Sequence, residues 1–504
     1  MKLNLSALLR ELELHCEYPQ DVQLTGLTCV NTDVSDGFLF IWTPNYLMPA
    51  ENSREHIEAS VADALQRGAV ALVLEAPLSV FAQVPQIIVP HTRKALSRLA
   101  ACWYGQPAQG LKLVGVTGTN GKTSIAYMVE QMLNHGGHHT ALVSTVENRY
   151  LNRIIPTVNT TPEAPVLHGF FRQAKDDGVS HAVMEVSSHG LSLNRVDDVD
   201  FDVAVFTNLT RDHLNHHGTM ADYFAAKKSL FDSVERSCGT AIINIDDAYG
   251  AELTASLSHA RVVTYGIDAE ADLRATNIRY LGFTIAFDLW FDGESYALEL
   301  PFVGKHYVYN CLAAIAVGFH YGLAAEVIFA GLQKTVIPGR FERLMTSHPA
   351  EIVVDFAHTP DGVEKTLIAA RAICRGRLIA VMGSGGNRDE HKRPMIGRLL
   401  SLFCDLVVLT SDTPRFEDPE KILADIERGF LANTPYEKYI DRREAIEYSL
   451  RVAEANDLIM ILGRGHETYQ NMAGRHVPFV DKDVVLECLT ARSLDAAEDA
   501  CELA

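Results

Sequence analysis

Short apolar runs that stop at small or polar residues recur along the whole chain, and several of the gaps between them carry helical spacing. Near the start, "RGAVALVLE" and "PQIIVP" predict buried strands, and "ASVADALQRG" predicts a helix ended by its glycine. The stretch "WYGQPAQG" (103–110), with a proline and two glycines, predicts a linker. Beyond it, "LKLVGVTG", "HAVMEVSS", "VDFDVAVFTNL" and "GTAIINIDD" alternate with helical stretches, the pattern of a parallel sheet with crossover helices. The rhythm restarts near residue 341 with "AEIVVDFAHTPDG", "RLIAVMGSGGNRDE", "DLVVLTSDTPRFEDP" and "DLIMILGRGHETYQ", each a buried strand running into a polar loop. The expected fold is therefore α/β in three domains, 1–108, 109–340 and 341–504, with the last one Rossmann-like. In such sheets chemistry gathers beyond the carboxyl ends of the strands, where the polar motifs of this chain fall.

Composition narrows the choice. The 504 residues are 47% hydrophobic and 21% charged, which is globular, and the net charge of −20 argues against a duplex nucleic-acid binder. The opening "MKLNLSALLRELELHCEYPQ" lacks an apolar core followed by a small-residue cleavage site, and no apolar run is long enough to span a membrane. A cytoplasmic protein without membrane insertion is expected. The nine cysteines form no CxxC pair and read as reduced thiols.

The first chemical motif is "GVTGTNGKTS", residues 115–124. It differs from the usual GxxxxGK[ST] phosphate loop, which would need a glycine at Val116. Gly118 and Gly121 still allow backbone N–H groups to turn toward an anion, and a helix opening near Lys122 adds its N-terminal dipole. Lys122 would meet nucleotide phosphates, and the Thr123 hydroxyl would ligate Mg2+.

After the next strand, Glu185 in "MEVSSHG" offers a metal carboxylate, with Ser187 and His189 as substrate contacts, although an acid at a strand end is by itself uninformative. In "TNLTRDHLNHHGTMADYFAAKKSLF", His213 is a candidate metal ligand. His213, His216 and His217 also raise a zinc reading, weakened by the lack of a fourth ligand at suitable spacing. At about 100° per residue, Tyr223, Phe224, Leu230 and Phe231 form an apolar arc with Lys227 at its centre and Lys228 off its edge. An inward lysine is desolvated and nucleophilic, able to take up CO2 as a carbamate that holds Mg2+; the alternative is a lysine that snorkels to the surface. In the last block, Arg388 and Arg415 lie in loops after successive strands and suit bidentate capture of a carboxylate. Glu467, beside His466, suits an ammonium. Together they describe a pocket for a zwitterionic amino acid, or three salt-bridged surface residues.

Taken in order, "GVTGTNGKT", "NTTP", "MEVSSHGL", "TNLTRDHLNHHGTMADYFAAKKSLF", "IPGRFE", "VVDFAHTPDG", "KRPMIG", "SDTPR" and "GRGHETYQ" resemble the Mur ligases, in their MurE-type UDP-N-acetylmuramoyl-tripeptide synthetase branch. The resemblance covers nearly all of 111–480 and implies an ATP-dependent, Mg2+-requiring amide ligase of peptidoglycan synthesis. It implies domains for the uridine nucleotide, for ATP and for the incoming amino acid. Gly118, Thr119, Asn120, Gly121, Lys122, Thr123, Asn310, Arg340, Asp355 and His358 would serve ATP. Thr123, Glu185, His213 and the carbamate of Lys227 would serve metal, with Lys122, Lys227 and His213 catalytic. Thr160, Thr161, Ser187 and Arg195 would contact the muramyl peptide. Arg388, Asp412, Arg415, Gly463 and Glu467 would hold the amino acid, with "DTPR" resembling the diaminopimelate-selective form. The implied partners are small molecules, the implied state is a monomer, and closure of the lobes would keep water from an acyl phosphate.

The chain departs from the family pattern at a few places. Asn31 and Thr32 replace a Ser-Arg pair, Leu193 a glutamine, Asn387 an aspartate, Thr413 an asparagine, and Tyr307 an asparagine. The ATP and carbamate residues are intact, while these changes cluster where substrates would bind. Two further readings therefore stand beside the first: a ligase of the same chemistry acting on another carboxylate and amine in another pathway, and a non-catalytic nucleotide-dependent regulator or scaffold.

Overall fold

The protein is described here by a computed structural model covering residues 2–11, 21–45 and 49–502. Cys16 and part of the opening stretch read for an export signal lie outside the described residues. The fold is α/β throughout, and it divides into two compact units.

The first unit comprises Met1–Gly118, Gly137–Ile243 and Tyr249–Val263. It opens with a parallel sheet in the order Gly26–Thr28, Phe38–Ile41, Ala69–Leu74, Gln86–Ile88. Alternate residues face opposite cores: Leu39, Ile41, Ala71 and Val73 join Leu96, Leu99 and Trp103 of the helix Thr92–Trp103. Phe40, Leu72 and Leu74 join Val61 and Ala64 of the helix Arg54–Gln66. A sheet covered on both faces needs continuous apolar strands, which is why "AVALVL" shows no alternation. The same unit holds a larger sheet ordered Arg153–Ile155, Asn148–Tyr150, Thr140–Val143, His181–Glu185, Lys112–Thr117, Val203–Phe206, Thr240–Asn244. Its centre is parallel and its first strands form an antiparallel edge hairpin. Lys112–Thr117 lies in the middle, so the loop after it leaves from the centre of the sheet.

The second unit comprises Thr119–Gly136, Asn244–Ala248 and Thr264–Ala504. The helix Lys122–His135 packs on Lys305–His320 and Ala325–Gln333. Gly331 makes this approach possible, since a Cβ there would stand 2.8 Å from the Met132 Cα. Leu273–Tyr280, Ile285–Phe291 and Glu294–Leu300 form an antiparallel meander that the strand–helix reading of 109–340 did not contain. Its signal is in the sequence: Asp292 and Gly293 both take positive φ, 50° and 81°, as a two-residue hairpin turn requires. The last sheet runs Glu342–Leu344, Glu351–Asp355, Leu458–Leu462, Leu378–Met382, Leu406–Thr410, Tyr436–Tyr439, parallel except for its first strand. The four strands read from "EIVVD", "LIAVM", "LVVLT" and "LIMIL" are its centre. Two buried arginines brace it. Arg393 binds Glu417 at 2.7 Å and Asp425 at 2.9 Å, and Arg442 grips both carboxylate oxygens of Asp481 at 2.7 Å.

Candidate active site

In the first unit the strand Lys112–Thr117 delivers Gly118, whose φ is 146° and whose missing side chain leaves room for Thr207 Oγ1. A Cβ there would collide with that hydroxyl, so the position demands glycine on two counts. The Gly118 carbonyl accepts a 2.8 Å hydrogen bond from Lys227 Nζ. Lys227 sits on the helix Met220–Ser237, capped by Thr219, whose hydroxyl accepts from Asp222 N–H. It is 1% exposed among Tyr223, Phe224, Leu230 and Phe231, with its ammonium 4.6 Å from the centre of the Tyr223 ring. The helical arc thus points inward, and the surface alternative does not hold; Lys228 is only partly buried.

Beside this helix the imidazoles gather. His213 occupies left-handed backbone, φ 53°, at the start of the short turn Leu214–His217 and lies 3.4 Å from Asp212. His189 stacks on His216 at 4.2 Å and meets His213 edge-on at 4.8 Å, while His217 leans on Tyr223 at 5.0 Å. Burial and mutual repulsion hold His189 down to about 3 and His217 to about 4. Among the described residues no group of three His, Cys, Asp or Glu could hold a metal ion, which removes the zinc reading there.

The groups expected to meet the acid substrate converge in the same unit. Glu185, buried at the end of its strand, accepts from the Thr145 N–H at 2.8 Å and the Thr145 hydroxyl at 3.2 Å. Thr145 Oγ1 also lies 3.0 Å from Thr160 Oγ1. Thr161 Oγ1 donates to the Glu185 carbonyl at 2.9 Å and accepts from the Ser187 N–H at 2.9 Å. Ser187 in turn caps the helix Ser188–Ser192. Arg195 Nη1 donates to the Thr161 carbonyl at 2.8 Å, and its Nη2 pairs with Glu163 at 2.6 Å. Glu163 also faces Arg93 at 3.7 Å. The sequence reading missed Glu163, although it directly follows "NTTP".

In the second unit the loop continues from Thr119. Lys122 Nζ donates to the Thr119 carbonyl at 2.8 Å. Gly121, φ 91°, lies so close to Asn310 that a Cβ would stand 2.6 Å from its Oδ1. Thr123 Oγ1 accepts from Arg340 Nη2 at 3.1 Å, and the Asn120 amide donates to Asp361 at 2.5 Å. Arg340 lies over the Phe356 ring at 4.3 Å, and Phe356 adjoins His358 at 4.7 Å. Asp355 is turned to its own loop: it accepts from the N–H groups of Phe341 at 2.6 Å and Ala357 at 2.8 Å. Burial pushes its carboxyl up despite Arg340 nearby.

The rim of the last sheet assembles Arg388, Asp412, Arg415, Gly463 and Glu467. Arg415, in left-handed backbone at φ 54°, is clasped by its neighbours. Its N–H donates to Asn471 at 2.9 Å and its Nη1 to the Gly386 carbonyl at 2.7 Å. Burial and the Arg388 charge lower its proton affinity. Burial and Asp412 raise Glu467 to about 7. Gly463, φ 105°, lies so close to Asp412 that a Cβ would stand 2.7 Å from its carboxylate. Behind them lies Arg464, fully buried, 3.2 Å from Glu467 and 3.8 Å from Asp412. The sequence reading missed it because an arginine between two glycines carries no periodic signal.

The departures have local explanations. Asn31 donates to the Ser60 carbonyl at 2.6 Å and accepts from Ser60 Oγ at 3.0 Å, tying its turn to the helix Arg54–Gln66. Thr32 reaches only Asp33, at 3.3 Å. Leu193 ends the helix Ser188–Ser192. Thr413 Oγ1 accepts from Arg464 at 2.8 Å. Asn387 joins two rim loops, accepting from the Phe416 N–H at 3.0 Å and donating its own N–H to Glu417 at 2.9 Å. Tyr307 stacks on Phe302 at 5.1 Å and donates to the Arg340 carbonyl at 2.8 Å.

Comparison with known proteins agrees with this geometry. Residues 116–318 match the Mur ligase middle domain, and 339–465 match the Mur ligase, glutamate ligase domain. A UDP-N-acetylmuramoyl-L-alanyl-D-glutamate–2,6-diaminopimelate ligase from Caldanaerobacter subterraneus is 40% identical over 430 residues, covering 85% of this chain and 88% of its own. One of the same description from Aquifex aeolicus is 38% identical over 467 residues, covering 93% and 94%. A solved structure of a ligase so described superposes with a TM-score of 0.66 at 31% identity, covering 93% of this chain and 95% of that one.

Proposed function

The chain belongs to the Mur ligase family, and from that premise we propose that it joins diaminopimelate to UDP-N-acetylmuramoyl-L-alanyl-D-glutamate, using ATP, in the making of peptidoglycan precursors. Its three domains are 1–108, 109–340 and 341–504, and it works as a cytoplasmic monomer. No helix among the described residues is long and apolar enough to cross a membrane.

In the reaction a substrate carboxylate oxygen attacks the γ-phosphorus of ATP, and the bond to ADP breaks. The acceptor amine then attacks the acyl carbon, loses a proton, and expels inorganic phosphate. Positioning and charge stabilisation carry such a transfer. Lys122 and the N–H groups of 118–123 orient the phosphates. Arg195, with Thr160, Thr161 and Ser187, holds the acid. Arg388 and Arg415 hold the acceptor's distal carboxylate while Asp412 and Glu467 take its ammonium. Asn310, Arg340, Asp355 and His358 bracket the nucleotide.

The donor set suits Mg2+, which favours hydroxyl and carboxylate oxygens and keeps much of its water. Thr123 offers a buried hydroxyl in one unit; Glu185, His213 and Lys227 as its carbamate serve in the other. Bound Mg2+ supplies charge neutralisation at the phosphates. The observation that carries this reading is the buried Lys227 amine, 2.8 Å from the Gly118 carbonyl, on a helix face of Tyr223, Phe224, Leu230 and Phe231.

Phosphate release from ATP, measured with UDP-muramoyl-dipeptide and diaminopimelate added singly and together, tests it. Release that needs both substrates is expected. A second reading, the same chemistry on a different acid and amine, is favoured by Asn31 and Thr413 being engaged by Ser60 and Arg464. Release with another pair and none with this one would select it. A chain that no pair stimulates is no ligase.

A further inference from the structure

The phosphate loop is tied to the helix Pro360–Ile373 by Asp361, which stands in the "VVDFAHTPDG" stretch after Asp355 and His358. Asp361 accepts from the Asn120 amide at 2.5 Å and pairs with Lys365, one helical turn on, at 2.8 Å. A carboxylate in the first turn of a helix is favoured by the helix dipole. Yet this helix has no need of it as a cap: Thr359 already accepts from the Gly362 N–H, and Pro360 fills the first helical position. Asp361 therefore reaches off its own helix to Asn120, while Lys365, on the same helix, balances its charge.

Asn120 stands between the two glycines that give the loop its shape. A hold on its side chain restrains the backbone of the loop between those glycines, whose N–H groups can turn toward an anion. Gly121 is pinned against Asn310 and Thr123 against Arg340, and Asn120 is a further point at which the loop is gripped from outside. Both partners lie in the second unit.

We propose that Asp361, braced by Lys365, is a positioning residue that orients Asn120 and thereby sets the affinity of the phosphate loop for nucleotide. The proposal rests on the ATP-dependent reading above. It makes the last domain a determinant of nucleotide affinity through a residue that touches no nucleotide atom itself.

The test is ADP binding by calorimetry to the full chain with Mg2+, for wild type and for D361A, D361N, N120A and N120A/D361A. A charge-assisted hydrogen bond, part exposed, predicts about 10-fold weaker ADP binding for D361A and about 3-fold for D361N, which keeps an acceptor oxygen. In the N120A background, D361A should add less than about 2-fold, because the partner is already gone. In turnover, the ATP KM of D361N should rise while kcat at saturating ATP stays within about 2-fold, a split that general loss of structure would not give. Wild-type affinity in D361A and D361N, or fully additive effects in the double variant, would overturn the proposal and leave the ligase reading standing. A wild-type chain that binds no ADP would overturn both.

Discussion

Around Arg195 and around Arg415 the molecule handles a partly buried arginine in two ways. Arg195 is met by Glu163 at 2.6 Å and by the Thr161 carbonyl at 2.8 Å, so its charge faces a carboxylate in direct contact. Arg415 faces a second cation, Arg388, while Glu467 faces a second anion, Asp412; burial first, and then these like charges, lower the proton affinity of Arg415 and raise that of Glu467. The first cluster pairs its charges directly, although Arg195 Nε and Glu163 Oε2 are buried without a hydrogen-bond partner among the described residues. The second sets like charges side by side with the buried Arg464 behind them, and a ligand carrying a carboxylate and an ammonium would offset both like pairs at once. A site that recruits a zwitterion can be built from charges set beside their like. A site that receives one carboxylate on a larger carrier can be built from a ready-made scaffold.

Substitutions sharpen this contrast, with Lys227 as the reference that belongs to neither cluster. Lys227→Ala should lower kcat by about a thousandfold, the scale of lost preorganised charge, and acetate should restore part of it. Turnover near that of wild type would remove Lys227 from the mechanism. Arg415→Ala should cost about a hundredfold in kcat/KM for the amine acceptor, leaving the ATP KM unchanged, because it leaves the acceptor carboxylate opposite one arginine instead of two. An equal rise in both KM values would show a folding defect instead. Glu163→Gln should raise the KM for the acid substrate only about 5-fold, since a part-exposed ion pair anchors Arg195 and is not itself a substrate contact. A loss as large as that of Arg415→Ala would end the contrast between the clusters.

The smallest effect is one of pH. Glu467 is held up to about 7, against 4.5 for a free glutamate, so at lower pH it is protonated and offers an ammonium no charge. The KM for the acceptor should therefore fall as pH rises through about 7, and Glu467→Gln should flatten that limb. By linkage the folded chain binds the proton more tightly than the unfolded one, so this group's contribution to stability is present below about 4.5 and is lost as pH rises to about 7. An ammonium bound beside it draws the proton off, and calorimetry in buffers of differing ionisation enthalpy should record a proton released on acceptor binding near pH 7.

Much of this was legible along the chain because apolar runs and glycines are local signals. Every strand read from an apolar run is a strand, and the arc Tyr223, Phe224, Leu230, Phe231 placed Lys227 inward as the helix does. What escaped shares one property: it depends on residues far apart in sequence. Arg464 is buried because Thr413 and the carbonyls of Tyr469 and Phe479 accept its protons. Asp361 matters through Asn120, 241 positions earlier. Glu163 matters through Arg93 and Arg195, which no spacing rule joins to it. The meander at 273–300 was missed for another reason, a strand–helix rhythm extended past the point where Asp292-Gly293 already marked a hairpin.

The pair of Arg442 and Asp481 carries a consequence for how the chain comes into being. Both side chains are shut away from water, and a guanidinium so placed without its acid is a cost of several kcal/mol. The last sheet can therefore not settle while residue 481 is still inside the ribosome, even though its central strands end at residue 462. Its final stabilisation waits on synthesis of the helix that starts at Asp481, and whatever shields its strand edges until then, a chaperone or the nascent chain itself, works against a clock set by translation.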